Sequence, residues 1–261
     1  FSECWSEPLV GYLEEHESCA AVQPRIMMYP DTTIINSYGN AQHYLGFGYT
    51  LEYKKKEYPE TSCENGTELA TCSGAATLFR TSALTHVGLI DERYFMYYED
   101  SDLSWRLRLA GYSLAVCCDS TVYHRYEFSR SIQKFYYMER NRLVLILTNY
   151  SPRTLFLITP MMLVMEMGMV FYSMLGTLHG KRNALTLKGK LHSYGFFFRP
   201  STWRYLAGKR RATQRLRKVR DTDIVRLFVD VIEFQDIDNV LLRRIVNPLT
   251  RIYWTWIKKL F

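Results

Sequence analysis

The sequence predicts an α/β layered domain followed by a helical region. Three observations carry this. Strand-like and helix-like patterns alternate from residue 3 to His124. After His124 the pattern changes to long helical runs, one of them almost wholly apolar. Apolar residues make up 48% and charged residues 23%, which supplies a core and argues against wholesale disorder. The length of 261 residues fits one large domain, or one domain with an appendage.

Taken in order, residues 3–16 read as an amphipathic helix, with Trp5, Leu9, Val10 and Leu13 at helical spacing. The chain opens inside that helix, on Phe1 rather than Met, so an upstream segment is expected. No signal peptide is visible. Cys19 to Pro24 reads as a buried strand stopped by its proline. Asp31 to Gly66 is turn-rich and predicts short strands and a long surface loop. Leu69 to Phe79 is an apolar run interrupted by Ser73-Gly74-Ala75-Ala76. A short helix from Thr81 can be closed by Gly88. A second helix, Asp102 to Ala110, is closed by Gly111, and strands follow at Ser113–Cys118 and at Val122–His124.

The later region begins with a helical pattern from Ser129 to Leu147. Leu155 to Leu175 is long enough to span a bilayer, which takes about 20 apolar residues. Glu166 lies in its middle, at a cost of roughly 2.5–3.5 kcal/mol at a bilayer centre. Pro160 interrupts it as well. A helix lying in one leaflet is therefore expected before a true span, and a buried soluble helix is the plain alternative. Between Arg199 and Arg220 stand nine Lys or Arg and no acid, and outside that belt a chain of net charge +7 is close to neutral. Such a belt suits lipid headgroups or simple solvation; nucleic acid is not expected, because the charge sits in one late stretch beside an apolar helix. Residues 222–261 read as amphipathic helices ending in Trp254, Trp256 and two lysines. The expected divisions are 1–128, 129–220 and 221–261.

Six cysteines form no C-x-x-C pair and no zinc pattern, so reduced, packed thiols in the cytosol are expected. The sequons at Asn65 and Asn149 are then chance matches.

The chemistry concentrates at Glu99, Asp100 and Asp102. Carboxylates at a helix start are favoured by the helix dipole, and Asp102 alone could serve as a cap. Two further acids after the aromatic run Tyr94–Tyr98 exceed what capping needs. Packed acids raise one another's pKa, and a raised acid is a better general base. His124 ends a strand about two dozen residues later, as a packed histidine or a metal ligand. Ser73-Gly74-Ala75 is either close packing or room for a substrate at the backbone. Arg140-Asn141-Arg142 is either solvated charge or a diphosphate contact.

The ordered series of these segments resembles the family-2 glycosyltransferases, especially their rhamnosyltransferase-like branch. It comprises Val22-Gln23-Pro24-Arg25-Ile26, Ile34-Ile35-Asn36-Ser37-Tyr38-Gly39, and Ser73-Gly74-Ala75-Ala76-Thr77-Leu78-Phe79-Arg80. Val87 to Phe95 then leads to Tyr98-Glu99-Asp100-Ser101-Asp102-Leu103. Trp105 to Tyr112, Val122-Tyr123-His124 and Arg140-Asn141-Arg142-Leu143 complete it.

The resemblance implies a GT-A fold, truncated at its N-terminus, with a membrane-associated helical region after it. It implies an inverting transfer of a sugar, rhamnose first among the guesses, from a nucleotide-sugar donor to a lipid-linked or polysaccharide acceptor. Asp100 would act as base, with Glu99 supporting it. Gly74, Ala75, Asp102, Trp105 and Arg106 would line the substrate site, and Arg140 would touch the diphosphate. His124 would ligate Mg²⁺ or Mn²⁺. The protein would work at the cytoplasmic face of the plasma membrane, on an anionic surface. Two departures stand out. No counterpart of the family's first strands or D-x-D motif is found, and Cys118 stands where the family usually has proline. A non-catalytic membrane-binding module is the competing reading.

Overall fold

A computed structural model describes residues 4–56, 63–126, 131–177, 181–233 and 240–260, with backbone only for 176–177 and 181–185. At its centre is β1 (Cys19–Met28), buried from Cys19 through Pro24. A mostly apolar strand buried on both faces requires cover, and helices supply it. Helix α1 (Glu7–Glu15) places Leu9 and Leu13 on one face, against Cys19, Val22, Ala115 and Cys117. On the other face lie α2 (Thr81–Val87) and α3 (Glu99–Leu109), which pack Ala83, Val87, Leu103 and Leu107 on Ala20, Ala21, Leu114 and Val116. Gly88 ends α2 with a φ of 82°, a conformation that costs glycine little.

The strand expected to stop at Pro24 runs on for four residues. Its neighbours explain why the proline is tolerated. On one side β5 (Leu78–Phe79) pairs antiparallel with Ala21 and Val22, and β2 (Ile35–Ser37) pairs with Ile26 and Met27. Pro24 falls between those two partners, where no ladder bond is asked of it. On the other side β6 (Ser113–His124) runs parallel to β1, and the register slips at Pro24/Arg25. Cys117 is opposite Pro24 and Thr121 is opposite Arg25, so Cys118, Asp119 and Ser120 bulge out. The two strands expected at 113–118 and 122–124 are thus one bulged strand. Two short strands, β3 (Asn40–Gln42) and β4 (Gly48–Thr50), form a separate hairpin. The apolar run from Leu69 is mostly irregular and becomes strand only at β5.

The bulge corrects the cysteine expectation. Cys118 is disulfide-bonded to Cys63, with Cα atoms 5.6 Å apart. Asn65 fastens the same place, accepting from the Cys118 N–H at 3.0 Å and donating to Asp119 at 3.0 Å. Cys19, Cys72 and Cys117 are buried free thiols. Asn149 is fully buried, which leaves no room for a glycan there.

The helical region comprises α4 (Ile132–Asn149), α5 (Pro152–Thr177), α6 (Lys181–Phe197), α7 (Pro200–Arg215) and α8 (Asp221–Val225). Ser131 caps α4 by accepting from the Lys134 N–H, and the expected earlier start at Ser129 lies outside the described residues. Residues 240–260 form a continuous helix with a π turn at Leu242–Val246. Its main part is α9 (Asn247–Ile257), and it closes on a 3-10 turn. One core unites Tyr44, Trp105, Tyr150, Ile158, Ile224 and Trp254, so the three regions expected from the sequence share an interior. Tyr44 stacks on Trp254 at 4.4 Å and donates to the Thr250 carbonyl at 3.0 Å.

Glu166, expected to burden an apolar helix, points inward. It pairs with Arg142 of α4 and with Lys190 of α6 at 2.8 Å, and it accepts from the Tyr194 hydroxyl at 2.5 Å. The basic belt is partly consumed in the same way. Lys209 pairs with Asp102 at 2.9 Å and Asp91 at 3.1 Å, Arg217 pairs with Asp221 at 2.6 Å, and Arg210 donates to the Leu147 and Tyr150 carbonyls. Six of its nine cations stay exposed.

Candidate active site

The acids are delivered by a strained loop. Phe95, Tyr97 and Tyr98 have φ values of 63°, 65° and 68°, in the left-handed region that non-glycine residues avoid. Each such residue costs roughly 1–3 kcal/mol and persists only where its surroundings enforce it. Here α4 enforces it. The amide of Asn141 donates to the carbonyls of Tyr94 at 3.0 Å, Met96 at 2.8 Å and Tyr97 at 2.8 Å. Arg140 donates to the carbonyls of Arg93 at 2.5 Å and Tyr94 at 3.0 Å, and lies against the rings of Tyr136, Tyr137 and Phe196. The side chain expected to hold a diphosphate is thus buried as a loop clamp.

Tyr98 is the N-cap of α3 and offers no side-chain cap, so Glu99 and Asp100 occupy the first turn. Asp102 lies in the same turn, two residues after Asp100, and is not the cap. It is fully buried, bonded to Arg106 at 2.9 Å, Lys209, the Tyr94 hydroxyl at 3.2 Å and Asn149 at 3.3 Å. Arg106 also donates to the carbonyls of Val87, Gly88 and Leu89. Trp105 is packed edge-on against Tyr150 and Phe228. Asp102, Trp105 and Arg106, expected at substrate, therefore build the support behind the site.

Glu99 and Asp100 themselves are only partly buried. The Gly74 N–H donates to Asp100 Oδ2 at 3.0 Å, and the Ser101 N–H to Oδ1 at 2.7 Å. Burial raises the Asp100 pKa, against the pull of those two N–H groups. Burial and then the charge of Asp100 raise that of Glu99, whose Oε2 has no hydrogen-bond partner. Gly74 and Ala75 are exposed beside Asp100. A Cβ on Gly74 would stand 3.6 Å from Asp100 Oδ2. Ser73, next in the chain, is tied back to β1 because its N–H donates to Gln23 Oε1 at 2.7 Å. Gln23 is a support of the site that local pattern does not mark as functional; an amide in the middle of a buried strand is its signal in the sequence. Asn141 acts as a loop clamp in its own right, distinct from its arginine neighbours.

His124 ends β6 opposite Met28. Its Nδ1 lies 3.2 Å from Asn36 Oδ1, and burial lowers its pKa. No described hydrogen bond links it to Asp100. Among the described residues no three His, Cys, Asp or Glu side chains are grouped to hold a metal ion. His124 can offer one donor.

The sequence profile described as "Glycosyltransferase like family 2" matches residues 11–144. Over 66 residues the chain is 39% identical to rhamnosyltransferase WbbL of Escherichia coli (strain K12), a quarter of each protein. Over 52 residues it is 48% identical to the N-acetylglucosaminyl-diphospho-decaprenol L-rhamnosyltransferase of Mycobacterium tuberculosis (strain CDC 1551 / Oshkosh). That match covers 20% of this chain and 17% of the relative, and the enzyme of strain H37Rv matches equally. The matched stretch thus spans a quarter or less of these relatives' length.

Proposed function

This chain belongs to glycosyltransferase family 2, and on that premise we propose that it serves an inverting sugar transfer with Asp100 as the base. The observation that carries the reading is a carboxylate of raised pKa held beside an exposed Gly74-Ala75 backbone by a strained, clamped loop. In the proposed step an acceptor hydroxyl oxygen bonds to the anomeric carbon, and its proton passes to Asp100. The bond from that carbon to the nucleoside diphosphate breaks, and the diphosphate departs with the electron pair. Glu99 orients the acceptor. Gly74 and Ala75 leave room for it, since neither projects more than a methyl group.

Rhamnose is the first donor sugar to try, from the names of the relatives, with a lipid-linked or polysaccharide acceptor in bacterial surface-glycan synthesis. We place the protein at the cytoplasmic face of the plasma membrane, on anionic lipid. Support comes from α5, which is long and apolar enough to cross a bilayer over Pro152–Leu175, and from the six exposed belt cations. A divalent cation is proposed as a requirement, with His124 as one donor, and no step is routed through it.

The test is nucleoside-diphosphate release by the full translation product, with a panel of nucleotide sugars, with and without Mn²⁺. Release that depends on one donor and is lost in Asp100→Asn supports the reading. No release from any donor, with lipid acceptor supplied, would leave a membrane-binding module without catalysis.

A further inference from the structure

The helix at 240–260 shows an unusual division of its apolar residues. Thr250, Trp254 and Ile257 face the core. Leu241, Ile245, Leu249, Ile252, Trp256 and Leu260 are all exposed, Ile252 by 69% and Trp256 by 61%. Their spacing of three or four residues puts them on one stripe of the helix. A stripe of this kind facing water is disfavoured by burial energetics and marks a contact surface. At about 1.5 Å per residue it extends for roughly 30 Å.

The neighbouring helix repeats the pattern. Tyr253 donates to the Leu157 carbonyl at 2.6 Å, and Arg153 to that of Leu260 at 2.5 Å, fastening residues 240–260 along the start of α5. On α5 the residues Phe156, Leu163, Met167, Phe171 and Met174 are exposed at helical spacing. The opposite side of α5 is packed on the body along its length, through Thr154, Ile158, Met161, Met165 and Ser173. A helix covered on one side from end to end is presented side-on. It cannot cross a bilayer without carrying α4 and α6, with their ion pairs, into the hydrocarbon.

We infer that the 240–260 helix is a second membrane-docking element, which lies in the headgroup region of an anionic bilayer beside α5 and makes the protein monotopic. This deepens the membrane association proposed above and rests on it. The charges choose the occupant. Residues 240–260 contain Arg243, Arg244, Arg251, Lys258 and Lys259 and no acid. All five are exposed, and their engagements within the protein, such as Arg251 with Asp230 and Lys258 over the Trp254 ring, leave them at the surface. Cations bordering an apolar stripe match lipid phosphates, with an indole at the interface. A second copy docked through the same face would bring like charges together.

The experiment is flotation of the protein with vesicles of phosphatidylcholine alone or mixed with phosphatidylglycerol. The parent should float with the anionic vesicles. Ile252→Ser combined with Trp256→Gln should weaken that partitioning about tenfold or more, since interfacial binding scales with buried apolar area. Arg243→Glu with Arg244→Glu should weaken binding to the anionic vesicles alone. Met167→Ser with Phe171→Ser tests α5 separately. Release by the α5 pair with parent-like binding of the Ile252/Trp256 pair overturns the inference and leaves the membrane reading standing. A parent that floats with neither vesicle overturns both. A dimer in sedimentation that the Ile252/Trp256 pair dissolves, without vesicle binding, assigns the stripe to a second copy instead. In the parent itself, bilayer-embedded bromolipid should quench the fluorescence that Trp256→Phe removes; no quenching overturns the inference even if the paired variant misfolds.

Discussion

The side-chain amide of Asn141, buried on α4, donates to the backbone carbonyl of Tyr97 at 2.8 Å, two residues before Glu99. With its bonds to Tyr94 and Met96, this one side chain fixes the carbonyls of a loop that holds three left-handed non-glycine residues. The loop in turn sets where α3 begins and so where Asp100 stands. Asn141→Ala takes its donor from the Met96 and Tyr97 carbonyls, while Arg140 still serves that of Tyr94, at a cost of roughly 1–3 kcal/mol. Turnover should fall at least about tenfold, because misplaced groups lose effective molarity. The KM for the donor sugar should change far less. Steady-state kinetics beside a thermal melt will check this; loss of stability with unchanged turnover would make Asn141 a purely structural clamp.

Asp100→Asn separates chemistry from stability. Removal of a general base costs typically about 10²–10⁴-fold in rate. Stability should move the other way. The Asp100 pKa is raised by burial in the folded protein, so between its unfolded and folded values the native state binds more protons. Stability is therefore lost as pH rises through that window, and above it the ionised carboxylate is a burden. The asparagine variant should melt no lower than the parent at pH 7, and its advantage should shrink below the ordinary carboxylate range. Melting curves at several pH values read this directly, and a variant clearly less stable at pH 7 would contradict the assignment.

The acids, the small residues and the aromatic run stand out in the sequence as candidates because they are local patterns. The fold brings Gly74 and Asp100 together. The roles of Asp102, Trp105, Arg106 and Arg140 were not legible, because a charged or aromatic residue near a motif looks the same whether it faces substrate or core. Lys209, which pairs with Asp102, lies 107 residues away. Pro24 misled for a related reason. Its effect on a strand depends on whether a partner sits opposite, and that is settled by where β5 ends and β2 begins. The inward turn of Glu166 depended on Arg142 and Lys190, which periodicity within α5 cannot reveal.

That inward turn gives a stability prediction. Glu166 and Glu139 face Arg142 and Lys190, with Lys190 2.6 Å from Glu139 and Arg142 3.0 Å from it. Glu166→Ala leaves two buried cations to share one carboxylate. Breaking such a network from one side costs about 3–5 kcal/mol. Lys190→Met beside Glu166→Ala should recover part of the loss, since it also removes a stranded charge. Chemical denaturation of the two single variants and the double variant gives the coupling. Strictly additive losses would mean that the ion pair contributes nothing specific to holding α5 on the body.

The final prediction concerns Cys63 and Cys118, which join the loop before Leu69 to the bulge of β6 across 55 residues. Titration of thiols in denaturant without reductant should find four of the six cysteines free, because Cys4, Cys19, Cys72 and Cys117 are unpaired. The chain-entropy account gives a closed loop of this length a stabilisation of about 4 kcal/mol. Reduction should therefore lower the melting temperature, and Cys63→Ser should lower it to a similar degree without further response to reductant. The bonds of Asn65 to Cys118 and Asp119 do not involve sulfur, so the bulge should hold its place on reduction and the response should be one of stability rather than of turnover. Six free thiols in protein taken from a reducing cytosol would show that the bridge does not form there, and the same melt with and without reductant would then confirm that the bulge stands on Asn65 and the strand pairing alone.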